Sequence, residues 1–240
     1  LDVNKDTVIT LTDDIVVNEG SAKKWANGTS TLPAAWTPIV GFNGKFDGGG
    51  HTISGIYGIT VSGATGIGLF TQTDGATIEN LRVTNSYFSV DTTNGTGGVV
   101  GCGSGTFKSI YTDVIMADKD SLPRGYMGGI IGKATGAVTI ENCWSNSNMD
   151  SRHERVGGLI GECNGKNITI KHCLNTGNLT HHYTTHKNFK TACFFGGLVG
   201  RTSSSGSLVI EDSLSTGIVQ SKASEEASEP QSITRIGALI

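Results

Sequence analysis

An acid and a base, Asp47 and His51, stand four residues apart in the 240-residue chain, with three glycines between them. A carboxylate beside an imidazole is a pairing that general acid–base catalysis uses. Asp-Gly-Gly-Gly is also a tight-turn composition, in which the aspartate bonds nearby backbone groups. We therefore expect both residues to serve a turn, with His51 bonded to a carbonyl group at the corner.

Three carboxylates and one cation form a second group, made of Asp113, Asp118, Asp120 and Arg124. A β-helical polysaccharide lyase needs carboxylates that bind Ca²⁺ together with a basic side chain, and a glycoside hydrolase needs two carboxylates at a defined separation. The group lies in a polar, loop-like stretch. A polysaccharide lyase or hydrolase is therefore the alternative hypothesis, and the leading one is a protein with no catalytic residues and no cofactor.

Three histidines, His181, His182 and His186, raise the question of a metal site. Such a site needs further ligands in convergent geometry, and the sequence has no H-E-x-x-H motif. A solvated loop without a metal is the prediction, and a metal-binding loop is the alternative that the sequence leaves open.

An internal repeat defines the elements that would hold these residues. A Gly-Gly-apolar phrase recurs in steps of 30, 31, 29, 39 and 41 residues, with copies aligned at Gly68, Gly98, Gly129, Gly158, Gly197 and Ala238. The segments between are short and rich in β-branched residues, without a helical period. The prediction is an all-β fold, a right-handed parallel β-helix (solenoid) of about six coils of about thirty residues, with three short strands per coil.

A second phrase follows each full copy of the first, and its alternation separates inward from outward side chains. The inward residues are apolar: Ile78, Phe107, Ile140, Ile170 and Ile210. The outward residues alternate in charge: Glu79, Lys108, Glu141, Lys171 and Glu211. In-register coils place opposite charges side by side, so we predict a structural ladder. A barrel or sandwich would explain short strands but not two phrases kept in phase.

The next two columns predict a corner and a buried strand. The corner residues are polar and can bond the backbone of a turn: Asn80, Ser109, Asn142, His172 and Asp212. The buried column contains Cys143 and Cys173. Parallel neighbours about 4.8 Å apart are too distant at Cβ for a relaxed disulfide, so we expect free, buried thiols. Cys102 and Cys163 are expected to pack as small apolar residues.

Composition narrows the function classes. Gly accounts for 35 residues and charged residues for 16%, which suits turn-rich β structure. The net charge of −3 gives no reason to expect nucleic acid as a partner. No apolar run is long enough for a membrane span. The chain starts at Leu1 without a leader pattern, so we expect any signal peptide to have been removed or to lie upstream.

The longest repeats carry insertions near residues 180–193 and 221–235, and shorter loops at 119–126 and 150–155 fall at the same phase. Insertions in solenoids collect on one face, which often binds a ligand. Exposed aromatic, His and Arg side chains suit contacts with a sugar or a protein. The predicted binding edge comprises His181, His182, Tyr183, His186, Phe189, Arg124, Tyr126, Arg152 and Arg155.

The N-terminal part contains Trp36-Thr37-Pro38-Ile39-Val40-Gly41, followed by Phe42-Asn43-Gly44-Lys45-Phe46-Asp47-Gly48-Gly49-Gly50-His51-Thr52-Ile53. With the repeated Gly-Gly phrases, these residues resemble the GLUG-motif proteins, known from secreted and surface proteins of gut and oral bacteria, including repeat regions of some streptococcal IgA-cleaving metalloproteases. The match covers about residue 7 to the end. It departs from the pattern at Val40, which is inserted, at Gly68, which lacks a preceding Gly, and in the uneven last coils. The resemblance implies a parallel β-helix at the cell surface, without catalytic residues.

These observations predict one solenoid domain over 1–240, with irregular N-terminal coils or a cap over 1–65 and GLUG-type repeats over 66–240, the last one truncated. The predicted role is a non-catalytic adhesin-like or stalk module, extracellular and on the bacterial cell surface. It would bind glycan or host protein through its loop edge. Further partners would be other domains of the same full-length protein.

Overall fold

Short β-branched segments cannot bury their apolar side chains alone, and in the computed structural model of the chain they stack on one another. The structure describes residues 4–59, 65–90, 94–118, 125–152, 155–183, 193–203, 206–223 and 234–237. Strand pairings in these ranges are parallel. The predicted all-β parallel solenoid is therefore confirmed.

The elements follow one another along the chain with one short helix in the described residues. The N-terminal part contains β1 (Val8–Thr10), β2 (Ile15–Val16), α1 (Ala22–Ala26), β3 (Lys45–Asp47), β4 (Thr52–Ser54) and β5 (Tyr57–Ile59). The middle contains β6 (Gly66–Ile67), β7 (Phe70–Val90), β8 (Gly95–Gly97), β9 (Val100–Asp118), β10 (Tyr126–Gly128), β11 (Ile131–Glu141), β12 (Trp144–Ser145) and β13 (Asn148–Ser151). The C-terminal part contains β14 (Arg155–Gly157), β15 (Ile160–Cys163), β16 (Ile168–Lys171), β17 (Leu174–Asn175), β18 (Leu179–Tyr183), β19 (Cys193–Gly196), β20 (Val199–Thr202), β21 (Leu208–Glu211), β22 (Leu214–Ser215), β23 (Val219–Ala223) and β24 (Thr234–Gly237).

The strands form two sheets. Strands at the Gly-Gly phrases make a six-stranded sheet in the order β24-β19-β14-β10-β8-β6. The other eighteen strands form the second sheet. Gly128 pairs with Gly157, and Gly157 pairs with Gly196, so the phrases lie in register even where the repeat is longer. The extra residues of the long repeats therefore fall between paired strands.

The sequence predicts about six coils, and the number of complete turns in the structure is smaller. About four turns are stacked in succession, beginning at Gly66, Gly95, Tyr126 and Arg155. Within the part of the chain that the structure describes, the first strand of this stack, β6, pairs on one side only, with β8. The turn that starts at Cys193 lies at one end of the described stack, and β24 contributes one strand beyond it. A turn is also divided more finely than expected: the one from Arg155 contains β14 to β18, because corners at Gly and Asn interrupt the wall.

The core runs along the axis, between the walls. The predicted inward column is buried at Ile78, Phe107, Ile140 and Ile170, each with no more than 1% of its surface exposed. Ile210, in the terminal turn, is packed against this core and only partly buried. At the other end, α1 contributes Trp25 to a separate cluster with Tyr57 and Tyr87.

The predicted polar corner has left-handed backbone in every turn. Its φ angles are 51°, 51°, 53°, 52° and 45° at Asn80, Ser109, Asn142, His172 and Asp212. Asn and Asp tolerate this conformation because their short side chains bond locally. The corner turns the wall sharply, so the residues just after it face a new direction.

Candidate binding groove

The predicted binding edge is only partly described. Arg124, His186 and Phe189 lie outside the described residues, and Tyr183 ends β18 with its backbone alone described. His181 does not belong to an exposed edge. Its side chain is buried, its Nδ1 lies 3.2 Å from Ser221 Oγ, and its ring centroid lies 4.8 Å from that of Phe195.

His182 and Arg152 lie nearer the surface. His182 Nε2 is 2.8 Å from Asp150 Oδ1, with about a third of the imidazole side chain exposed. Arg152 is partly buried at the end of the turn before β14. In the described part of the chain, no group of three or more His, Cys, Asp or Glu side chains could hold a metal ion.

Tyr126 and Arg155 are brought together, in register on neighbouring strands. The Arg155 guanidinium lies 5.1 Å from the Tyr126 ring centroid, and its Nε lies 2.9 Å from Glu162 Oε2. Lys133 approaches the same ring to 4.9 Å. Because Glu162 is buried, its pairing with Arg155 compensates the desolvation of the carboxylate. This cluster holds the Gly-Gly wall against β11 and β15.

The charged column lies in register as Glu79, Lys108, Glu141, Lys171 and Glu211. Close ion pairs form at alternate steps: Lys108 Nζ to Glu141 Oε2 at 3.2 Å and Lys171 Nζ to Glu211 Oε2 at 2.9 Å. Glu79 instead pairs with Lys45 on the preceding strand β3, whose Nζ lies 2.7 Å from Glu79 Oε1. These side chains are solvated, so their contribution lies in registering the coils.

Asp47 and His51 serve the turn. Asp47 Oδ1 accepts hydrogen bonds from the Gly49 amide and from Asn80 Nδ2, each at 3.0 Å. The bond from Asn80 lowers the pKa of Asp47. His51 Nδ1 instead faces Asp14 Oδ1 at 3.4 Å. Of the second acidic group, Asp120 and Arg124 lie outside the described residues, and Asp118 has only its backbone described.

A column that sequence reasoning missed faces outward just beyond the corner. It follows the buried column by one residue, so alternation turns it to solvent. Its members pair in register from turn to turn: Arg82, Tyr111, Trp144, Leu174 and Leu214. Continuing the register arithmetic by one position would have found it.

The upper part of this column forms a groove of about 370 Å³. The Arg82 guanidinium lies 4.6 Å from the Tyr111 ring centroid. The Tyr111 and Trp144 rings meet edge to face, with centroids 4.9 Å apart and planes at 66°. The lining is completed by the corner and by Ile110: Gly50, Asn80, Ser109, Ile110 and Asn142. Aromatic faces thus lie beside amide and hydroxyl groups.

A chain of hydrogen bonds fixes Trp144. Its Nε1 donates to Thr176 Oγ1 at 2.8 Å, and Thr176 Oγ1 donates to Asn146 Oδ1 at 2.7 Å. Asn146 Nδ2 then donates to Asp113 Oδ1 at 3.4 Å. Trp144 nevertheless remains 44% exposed. The groove therefore presents a large aromatic surface that is held in one orientation while facing solvent.

Asp113 supplies the negative charge near the groove. Burial raises the pKa of its carboxyl group, and the hydrogen bond from Asn146 partly opposes that shift. Burial and the Asp113 charge raise the pKa of Tyr111, so its hydroxyl stays protonated at neutral pH. The aromatic side chains of the groove can accordingly stack on a ring of the ligand. The Tyr111 hydroxyl and the neutral amide and hydroxyl groups of the lining can exchange hydrogen bonds with it.

The cysteines offer no accessible nucleophile. All five are buried thiols outside disulfide bonds, as predicted for Cys143, Cys173, Cys102 and Cys163. Burial raises the pKa of Cys163 to about 12, and it also raises the pKa of Cys143. The hydrogen bond with Cys143 lowers the pKa of Cys173, but this thiol is buried as well. A thiol shielded from solvent reacts slowly.

Comparison with known proteins places the fold in context. No family model matches the chain. Over 132 residues, or 54% of the chain, it is 31% identical to Halomucin of Haloquadratum walsbyi, and it spans 1% of that protein's length. It also resembles the crystal structure of a Bacteroides ovatus protein described as a "putative immunoglobulin A1 protease".

That structural likeness has a TM-score of 0.64 at 17% identity and covers 99% of this chain and 69% of the other. At this identity it shows a shared fold. In the described ranges, no helix is long and apolar enough to cross a membrane.

Proposed function

We propose that the chain is a non-catalytic module of an extracellular surface protein that binds glycans in the groove of Tyr111 and Trp144. The observation that supports this proposal is Trp144 itself, which is 44% exposed and fixed by the bond from its Nε1 to Thr176. An exposed aromatic side chain costs solvation free energy, and fixing it in advance lowers the entropy cost of binding.

A sugar ring is chemically complementary to the side chains that line the groove. A pyranose has an apolar face of C–H groups and a rim of hydroxyl groups. The Trp144 and Tyr111 rings suit the apolar face, while Asn142, Ser109 and Arg82 lie where hydrogen bonds to the rim can form. The volume of about 370 Å³ falls within the range of small-ligand sites.

An extracellular surface location is supported by the partial likeness to Halomucin and by the GLUG-type phrases. The composition agrees, since small polar residues replace charged ones. Contacts of the loop edge with a host protein stay a prediction. The groove is a separate surface, on the wall after the corner.

The non-catalytic part of the proposal follows from the carboxylates. None of the described residues that line the groove is Asp or Glu. Asp113 is two residues beyond Tyr111, and it accepts the bond from Asn146. A glycosidase requires two carboxylates facing the scissile bond. The groove is thus suited to holding a glycan rather than cleaving it.

A glycan array with the purified chain tests the proposal. We expect selective binding that falls at least about tenfold in Trp144→Ala, because the stacking surface is lost. The matched control is Val40→Ala, which removes an apolar side chain that is 76% exposed and does not line the groove. Thermal unfolding of both variants checks that they fold.

Three results would contradict the proposal. One is glycan binding that is equal in Trp144→Ala and the parent, and another is no glycan binding at all. The third is the appearance of new reducing ends or unsaturated products when a bound oligosaccharide is incubated with the protein, which would show catalysis.

A further inference from the structure

We infer that the glycan bound in the groove carries N-acetyl groups and no net charge. This inference rests on the proposed function and names its ligand class. It is drawn from the residues that continue the groove along the solenoid axis and from the charges on its two sides.

The column changes from aromatic to aliphatic below Trp144. Trp144 pairs in register with Leu174, and Leu174 pairs with Leu214. Leu174 is partly buried, and Leu214 is 56% exposed. We call Trp144, Leu174 and Leu214 the apolar stripe. It presents one ring and two branched aliphatic side chains on the same wall, in three successive turns.

The apolar stripe extends beyond the surface that a bare sugar ring can cover. The face of a pyranose covers an aromatic ring, but its hydroxyl rim gives nothing apolar to a leucine. Successive turns are about 4.8 Å apart, so a group projecting from a sugar on Trp144 would reach Leu174. An acetamido methyl is such a group, and burying it against leucine stabilises the complex.

The acetamide also has polar partners at both borders of the stripe. His172 and Asn142 lie two residues before Leu174 and Trp144, on the corner side. Thr176 lies two residues after Leu174, on the opposite side, where it already bonds Trp144 Nε1. Imidazole and amide N–H groups donate to carbonyl oxygens.

Charge disfavours ionic sugars. Arg82 lies over the Tyr111 ring, and Asp113 is two residues beyond Tyr111 along β9. An ionic sugar of either sign would therefore meet one attracting and one repelling charge, which leaves little net Coulomb gain. Because a charged group also loses solvation on binding, a neutral acetamide is favoured over a free amino group or a carboxylate at the same position.

Calorimetry with matched oligosaccharides tests the inference. The pairs are hexamers of N-acetylglucosamine and of glucose, and N-acetylgalactosamine and galactose oligosaccharides; the glucosamine hexamer is added as the deacetylated probe. We expect the acetylated member of at least one pair to bind at least about fourfold more tightly, the value of one buried methyl group. The glucosamine hexamer should bind more weakly than its acetylated form.

Variants of the apolar stripe locate the preference. Leu174→Thr and Leu214→Thr introduce a β-branched strand former and remove aliphatic surface. The affinity ratio of acetylated to plain sugar should therefore fall toward one in Leu174→Thr and by less in Leu214→Thr. Val209→Thr is the control, since Val209 is 38% exposed in the same terminal turn as Leu214 but belongs to another column. Leu214→Thr alters an exposed side chain and keeps the test valid if Leu174→Thr fails to fold.

Equal affinity for acetylated and plain sugars would overturn this inference and leave the proposed function standing. A preference that survives in both leucine variants would overturn it too. Absence of binding to every probe, with an array also negative, would overturn the proposed function and this inference together.

Discussion

Trp144 shows how a single side chain is positioned from the next turn. Its indole donates to Thr176, which belongs to the following coil, and the chain of bonds returns through Asn146 to Asp113 in the preceding coil. Three turns therefore determine the orientation of one ring. Stacking of coils in register creates this support, because none of these four hydrogen-bonded residues is adjacent to another in the sequence.

Asp113 is expected to make stability depend on pH. Because burial raises its folded pKa, its ionised form is disfavoured in the fold. The stability it contributes is full below its unfolded pKa and is lost as pH rises through the folded value. Asp113→Asn keeps an acceptor for Asn146 and should raise the Tm at pH 7 by about 1–2 °C, a small effect because the carboxyl is only partly buried.

Calorimetric unfolding of Asp113→Asn at pH 3 and pH 7 measures this effect. The gain at pH 7 should disappear at pH 3, where the parent carboxyl is largely protonated. Asp13→Asn, at an exposed position, is the matched control and should change neither value. A lower Tm for Asp113→Asn at pH 7 would contradict the assignment.

Some residues could be placed from the sequence and others could not. The alternation that places Cys143 inward after the corner also places Ser145 inward, and the same alternation along β18 places His181 inward after Leu179. The prediction treated His181 as part of a loop because the paired strand was expected to end before it. Strand ends depend on pairing with the neighbouring coil, which a local pattern does not report.

At the scale of elements, the Gly-Gly phrase exists because two walls nearly touch. A Cβ on Gly129 would collide with Ser145, and one on Gly158 would collide with Asn175 and with the carbonyl oxygen of Gly197. Ser145 and Asn175 are buried, inward-facing residues on the wall of Trp144. The two phrases stay in phase along the sequence because they pack against each other within a coil.

Gly158→Ala should therefore destabilise the solenoid by about 1–3 kcal/mol, as overpacking does, and lower its Tm by several degrees. The collision involves backbone oxygen, which cannot rotate away. Gly75→Ala is the control: its site has open space but a φ of +68°, so only backbone strain applies there. Denaturant unfolding measures both; a cost for Gly158→Ala below that of Gly75→Ala would show that the walls can separate.

The repeat predicted the parallel register of the strands, and the structure confirms it across the long insertions. The division into strands was less predictable. The sequence predicted the polar corner at Asn142 and His172, and the left-handed backbone there confirms it. It also predicted three strands per coil, whereas the turn from Arg155 contains five. The count of complete turns also depended on which repeats find neighbours on both sides, a property of the assembled stack.

At the scale of the whole molecule, stacking converts a repeat in sequence into stripes along one axis. Charged, polar, apolar and aromatic columns each follow a fixed position in the coil. A ligand that extends along the axis can therefore contact several turns. The core and the ion pairs keep those turns in register, which makes the wall of Tyr111 and Trp144 a stiff surface.

Nuclear magnetic resonance of the three tryptophan indole groups tests glycan binding at this wall most directly. Trp25 is buried, Trp36 Nε1 donates to the Leu69 carbonyl, and Trp144 lies in the groove. On titration with a glycan that the array selects, the Trp144 indole N–H resonance should shift in a saturable manner while those of Trp25 and Trp36 stay in place. Saturable binding that leaves the Trp144 resonance unmoved would show that the glycan binds elsewhere than at the wall of Tyr111 and Trp144.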